Sequence, residues 1–195
     1  MSDQPSPQSL RTEAIETLLI EKKLLTSEAI DTVLTTFSEQ VGPMNGAKLV
    51  ARAWVDQSFK ARLLEDATTI VQEYGFEGGQ VDKLIVKACS ESVHHVVVCT
   101  LCSCYPWAVL GLPPRWYKDP GYRSRIVREP RKVLTEMGLT LPDTTSIKVW
   151  DSSAEIRYLV LPLRPAGTED LDETALAELI TRDAMIGVAA IETPS

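Results

Sequence analysis

The apolar positions of this chain change period midway. Leu10, Ala14, Ile15, Leu18 and Leu19 recur at helical spacing and predict a helix near the start. A second helix begins after Thr26 or Ser27 and carries Ile30, Val33, Leu34 and Phe37. Pro43, Asn45 and Gly46 punctuate the chain, and Leu49, Val50, Ala53 and Trp54 then line an apolar face. Asp56 is placed to cap a further helix through Leu64, and Ala67, Ile70, Val71 and Tyr74 continue the period to Gly75. Beyond the turn marked by Gly75, Gly78 and Gly79 the pattern becomes strand-like. Lys83 to Val86, Val93 to Val98, Ile147 to Trp150 and Ile156 to Leu161 are rich in β-branched residues and read as strands. Between them, Tyr122 to Ile126 and Lys132 to Met137 are helical segments broken by Pro130, and Asp172 opens a last helix with Leu176, Leu179 and Ile180. Helices first, then strands with helices inserted, predict an α+β fold: a layered α-β-β-α core at 41–195, preceded by an N-terminal helical arm at 1–40.

Composition narrows the setting. The chain has 195 residues, 44% of them hydrophobic, enough for a sizeable core. No apolar run has membrane-spanning length and no N-terminal signal pattern is visible, so no membrane partner is expected. Met1 to Gln8 is polar and Pro-containing, and is expected to be disordered. A net charge of −7 argues against nucleic acid as a partner. The basic run of Arg123, Arg125, Arg128, Arg131 and Lys132 has no interleaved stacking aromatics, so it reads as a solvated helix face or a subunit contact. Four cysteines without even spacing fit a reducing cytoplasm.

Three of those cysteines, Cys99, Cys102 and Cys104, fall within six residues. A metal seated at this loop could take the Cys102 sulfur, the backbone nitrogens of Ser103 and Cys104, and the Cys104 sulfur in one plane. Cys99 can add an axial sulfur, which leaves a sixth position open, as a catalytic metal requires. Soft thiolates and strong-field amides suit a low-spin trivalent ion better than a hard cation. Structural zinc is the common alternative, but it needs a fourth ligand, and only His94 or His95 could supply one. A disulfide would require a secreted protein.

The surrounding residues carry a specific resemblance. C-T-L-C-S-C-Y-P-W-A-V-L-G-L-P-P-R-W-Y-K begins at Cys99, and Y-R-S-R-I-V-R-E-P-R-K-V-L follows from Tyr122. V-G-P-M-N-G-A at 41–47, A-R-A-W-V-D at 51–56, V-W-D-S-S-A-E-I-R-Y-L-V-L-P at 149–162 and T-R-D-A-M-I-G-V at 181–188 extend it from Arg11 to about Gly187. Together they resemble the alpha subunit of nitrile hydratase. The gamma subunit of thiocyanate hydrolase shares the metal loop and is the nearest competitor. Thr100 and Tyr105 resemble the cobalt-type members, whereas iron-type members typically carry Ser at the place of Thr100. The resemblance therefore implies a cobalt ion, Co(III), in preference to iron.

It implies more. Cys99, Cys102, Ser103 and Cys104 become the metal ligands, with Cys102 oxidised to a sulfinate and Cys104 to a sulfenate beside the open site. The activity implied is hydration of a nitrile to its amide. The implied partners are a beta-type subunit, embraced by the N-terminal arm and supplying two arginines to the sulfur oxygens, and an activator protein for cobalt insertion. Gln80 is placed around the metal pocket, although Val81-Asp82 follows it where Gly-Glu is usual. Trp107 is placed at the pocket wall, where core packing is the commoner fate of tryptophan. Ala108 replaces a common proline and implies a roomier or less rigid pocket edge. With the short chain, it fits a member specialised for a nucleoside nitrile. Asp151, Ser152, Glu155 and Arg157 form a patch behind or near the metal loop, where Arg157 is the catalytic candidate; elsewhere such a patch is a salt-bridged strand end worth little. His94 and His95 read as structural, and Cys89 as a small buried or edge residue.

Overall fold

The computed structural model describes residues 7–37, 41–42, 44–76, 83–102 and 104–192. Gln80, Val81, Asp82, Gly78, Gly79 and Ser103 lie outside the described residues, as do the first six residues of the segment read as disordered. That segment's last two residues, Pro7 and Gln8, already belong to a helix.

Clustering of backbone contacts divides the chain into two compact units, Met1–Gln40 and Val41–Ser195. The first holds α1 (Pro7–Glu21) and α2 (Ser27–Thr35). Thr26 caps α2, its hydroxyl accepting from the Ala29 N–H at 3.1 Å. Neither helix buries a side chain; Leu10, Ile15, Leu18, Val33 and Leu34 are all exposed.

The second unit holds the core. Its central helix is α3 (Met44–Val55), which buries Leu49, Val50, Ala53 and Trp54. Asn45 and Gly46 punctuate nothing here; they lie inside its first turn. The Asn45 side chain donates to the Ala108 carbonyl, and a Cβ on Gly46 would come within 2.8 Å of both Met185 and the Val109 carbonyl. Asp56 caps α4 (Gln57–Glu65), and Asp66 interrupts the continuing helical period to cap α5 (Ala67–Glu73).

Four strands form two parallel pairs. β1 (Lys83–Ala88) pairs with β4 (Ile156–Leu161), and β2 (Val93–Val98) pairs with β3 (Ser146–Asp151). β1 and β2 are joined by only four residues, yet they belong to different sheets. α4 and α5 pack on β1, and β2 meets β4 between the sheets. α8 (Pro130–Glu136) packs on β3 and completes a helix–sheet–sheet–helix order. The long crossover from β2 to β3 also carries α6 (Trp107–Leu110), a 3-10 turn at Arg115–Lys118 and α7 (Pro120–Ile126). α9 (Glu173–Leu179) is capped by Asp172 but is not the last helix, because α10 (Arg182–Ile186) follows, capped by Thr181. α10 ends at Gly187 with φ +89°, where an added Cβ would stand 2.0 Å from the His95 carbonyl oxygen, so only glycine fits. No described helix is long and apolar enough to cross a membrane.

Candidate metal centre

Parallel pairing builds the site. β2 is a buried valine run, and its last residue, Val98, stands opposite Asp151, the last of β3. Both strands point the same way, so the loop leaving β2 emerges beside the Asp151 carboxylate. Thr100 uses that neighbour twice: its N–H donates to one carboxylate oxygen at 2.9 Å and its hydroxyl to the other at 2.6 Å. The Ser152 N–H donates to the Val98 carbonyl at 2.7 Å and closes the same corner.

Two later elements grip the loop from the other side. Arg123 on α7 donates through Nη1 to the Cys102 carbonyl at 2.7 Å, and the Tyr117 hydroxyl donates to the Cys104 carbonyl at 3.0 Å. α7 is itself pinned to the strand, because the buried Tyr122 hydroxyl donates to the Val97 carbonyl at 2.7 Å. Tyr105 packs edge-on to Tyr117 with ring centroids 5.1 Å apart, and Trp116 meets Tyr122 at 4.9 Å. Tyr117, Tyr122 and Arg123 hold the loop and its strand, and the motif reading gave none of them that place. Their only sequence signal is an aromatic and basic cluster closely following the cysteines.

Held this way, the three sulfurs converge. Cys99 Sγ lies 3.6 Å from Cys102 Sγ, and Cys102 Sγ lies 3.1 Å from Cys104 Sγ. All three fall within 4.8 Å of one another. These separations are well beyond the ~2.05 Å of a disulfide, so no disulfide joins them. Burial, and then the neighbouring Cys102 and Cys99 thiols, push Cys104 up to about 12, while the charge of Arg157 pulls it the other way. Three thiols at this spacing cannot all ionise without a cation among them, so the donor set fits a bound metal and calls for positive charge.

The other candidates sort cleanly. Arg157 is buried at the second position of β4, with Nη1 donating to the Ser153 carbonyl and its charge felt at Cys104. Trp107 begins α6 and is half-buried against the core. Glu155 is exposed and holds the edge of β1 through its carbonyl, which accepts from the Lys83 N–H. His94 and His95 stay apart from the sulfurs. His94 Nε2 bonds the Gly187 carbonyl at 2.8 Å, and His95 Nδ1 accepts from the Trp150 indole at 2.9 Å. Burial is the main cause holding both imidazoles toward the neutral form. Among the described residues, the metal-competent group therefore has no histidine, and a four-ligand zinc site lacks its fourth member. Cys89 is half-buried beside His94, its thiol pushed up by burial. The basic run serves the fold: Arg125 pairs with Glu129 and Glu136, and Arg131 donates to the carbonyls of Leu141, Pro142 and Thr145.

Comparison with known proteins agrees with this geometry. A family profile described as "Nitrile hydratase, alpha chain" matches residues 6–189. The low-molecular weight cobalt-containing nitrile hydratase subunit alpha of Rhodococcus rhodochrous is 55% identical over 185 residues, covering 95% of this chain and 89% of its own. The thiocyanate hydrolase subunit gamma of Thiobacillus thioparus is more distant, at 44% identity over 90% of this chain and 76% of its own. Among solved structures, a double mutant of the iron-type nitrile hydratase of Comamonas testosteroni Ni1 superposes with a TM-score of 0.87 at 43% identity, covering 96% of this chain and 91% of its own. The chain belongs to the nitrile hydratase alpha chain family.

Proposed function

We propose that this chain is the metal-bearing subunit of a nitrile hydratase that converts R–C≡N and water to the amide at a cobalt(III) ion. One observation carries the reading: three thiol sulfurs lie within 4.8 Å of one another, in a loop gripped by Asp151, Arg123 and Tyr117. Cys99, Cys102 and Cys104 would hold the ion through sulfur, and Ser103 and Cys104 through their backbone nitrogens. The preference for cobalt rests on Thr100 and Tyr105 and on the cobalt-containing relative. A trivalent ion bound there supplies a Lewis acid that polarises a nitrile or acidifies water.

The chain's own groups do the rest. Cys102 is exposed, Cys104 partly so and Cys99 buried. Oxidation at sulfur, with dioxygen or a peroxide as the oxidant and oxygen donor, follows access and thiolate character, which supports Cys102 as the sulfinate and Cys104 as the sulfenate. The sulfenate oxygen of Cys104 then serves the attack on the nitrile carbon, as base or as nucleophile. Arg157 places positive charge on Cys104 and favours its anionic form. Trp107 forms a wall for the apolar body of the substrate, and Gln80 supports the surrounding pocket.

A beta-type subunit completes the enzyme. Leu101, at the tip of the loop, is 86% exposed, and Leu10, Ile15, Leu18, Val33 and Leu34 of α1 and α2 are open as well. Such surfaces suit a partner that covers them, with the 1–40 segment as the embracing arm. A cobalt-insertion activator acts before assembly, and the setting is cytoplasmic.

The test is expression with the beta-type subunit and activator in cobalt medium. One cobalt per chain, a mass gain of about 48 Da for three oxygens and amide release from small nitriles are expected. Stoichiometric zinc with no amide formed would overturn the reading. Carbonyl sulfide and ammonia from thiocyanate, without amide from nitriles, would move the chain to the thiocyanate hydrolases. Nucleoside nitriles assayed beside acrylonitrile locate the substrate class.

A further inference from the structure

We infer that Arg123 is a positioning residue that stabilises the charge of a backbone ligand: its guanidinium offsets the negative charge that the Cys102–Ser103 peptide takes on when its nitrogen binds the metal. The inference rests on the proposed metal-binding reading and names a residue that supports it. A peptide nitrogen is conjugated to the carbonyl oxygen of the preceding residue. When the Ser103 nitrogen becomes a ligand, it gives up its proton to solvent. The electron pair left behind is shared with one oxygen, that of Cys102. Arg123 Nη1 donates to this oxygen at 2.7 Å, the short distance of a charge-assisted bond.

Three further observations fit the role. Arg123 lies 21 residues from Cys102, and its helix is fixed by the Asp119 cap, by Pro120 in its first turn and by the Tyr122 bond to Val97. The donor is thus held rigidly against the loop. Among the described residues Arg123 forms no ion pair with a carboxylate, whereas Arg125, two residues on, is taken by Glu129 and Glu136. The charge of Arg123 is therefore left for the loop. Finally, the structure contains its own control. Tyr117 donates to the Cys104 carbonyl at 3.0 Å, but that oxygen is conjugated to the nitrogen of Tyr105, which is no ligand in the proposed set. Two donors grip the same loop, and one of them addresses an oxygen that gains charge on metal binding.

The experiment compares Arg123→Lys, Arg123→Gln and Tyr117→Phe with the parent in the cobalt-loaded complex. It follows the rate of cobalt loss to a chelator and the position of the sulfur-to-cobalt absorption band, with circular dichroism as the check of fold. Gln can still bond to the Cys102 oxygen but carries no charge; Lys keeps the charge. The Gln variant should lose cobalt roughly 10- to 100-fold faster and shift the band, with Lys and Tyr117→Phe staying much nearer the parent. Equal loss from Gln and parent would overturn the inference. So would equal loss from Gln and Lys, or from Gln and Tyr117→Phe, since each points to loop geometry instead of charge. A parent that takes up no cobalt sinks this inference together with the proposed function. A cobalt-loaded, active parent with an indifferent Gln variant sinks this inference alone.

Discussion

Cys104 and Tyr122 show how differently two residues can serve one loop. Cys104 is the donor whose sulfur and backbone nitrogen both enter the proposed ligand set, so Cys104→Ala removes a ligand and the reactive sulfur together. Cobalt content and amide formation should fall in step, by more than the roughly 100-fold that marks the upper end for losing an outer partner. Metal analysis beside a product assay checks this, and a variant that stays empty yet turns over would contradict it. Tyr122 touches no sulfur. Its buried hydroxyl satisfies the Val97 carbonyl at 2.7 Å, so Tyr122→Phe strands a buried acceptor and should cost about 1–3 kcal/mol. Thermal melts of the two proteins measure that cost, and an unchanged midpoint would place water or another donor at Val97. The cysteines were legible in the sequence because their chemistry is local: the spacing of Cys99, Cys102 and Cys104 already limits what they can do. Tyr117, Tyr122 and Arg123 were not, because each reaches its acceptor across 13 to 25 residues. Contacts of that span are set by tertiary packing, which no local pattern encodes.

The helices show the same divide at the scale of elements. Capping was legible at Thr26, Asp56 and Asp172, each ahead of a clear apolar period, but not at Asp66, Asp119 or Thr181. α6 and α10 were not, being four and five residues long, too short for a period to register. Strand existence was legible from β-branched runs. Pairing was not: the four-residue link between β1 and β2 looks like a hairpin, yet β1 takes β4 and β2 takes β3, partners that lie far along the chain where no local pattern encodes them. The Asp56 cap carries a pH prediction. Its carboxylate accepts from the Phe59 N–H first, then the Ser58 hydroxyl, and these hold it at about 2. An unfolded aspartate titrates near 3.9. The folded value is the lower one, so the contribution is fully present above about pH 4 and is lost as pH falls through about 2. Asp56→Ala should melt lower than the parent at neutral pH, and the gap should close between about pH 4 and pH 2. Melting curves across that window test it, and a constant gap would show that ionisation is not what the cap contributes.

At the scale of the molecule, the argument turns on what each unit needs from outside itself. Among the described residues, every member of the buried hydrophobic core belongs to the Val41–Ser195 unit. α1 and α2 bury no side chain, yet they carry Leu10, Ile15, Leu18, Val33 and Leu34 in the open. Apolar residues at helical spacing that stand exposed among the described residues offer a surface for a partner to cover. The loop tip repeats the point, since Leu101 is 86% exposed beside the sulfurs. Both features fit a chain whose chemistry is completed by a beta-type subunit. Removing residues 1–40 separates the two needs. The remaining chain should melt within about 3 °C of the parent, a shift worth about 1 kcal/mol at this size. It should also keep its cobalt when loaded. If the arm's apolar face holds the partner as proposed, co-purification with the beta-type subunit should fail, and nitrile hydration should fall with it. Size-exclusion chromatography of the co-expressed pair, read beside thermal melts of the isolated chain, distinguishes the outcomes. A shortened chain that still elutes with the partner would leave the arm's exposed leucines without that role, and one that unfolds would show that the arm stabilises its own chain.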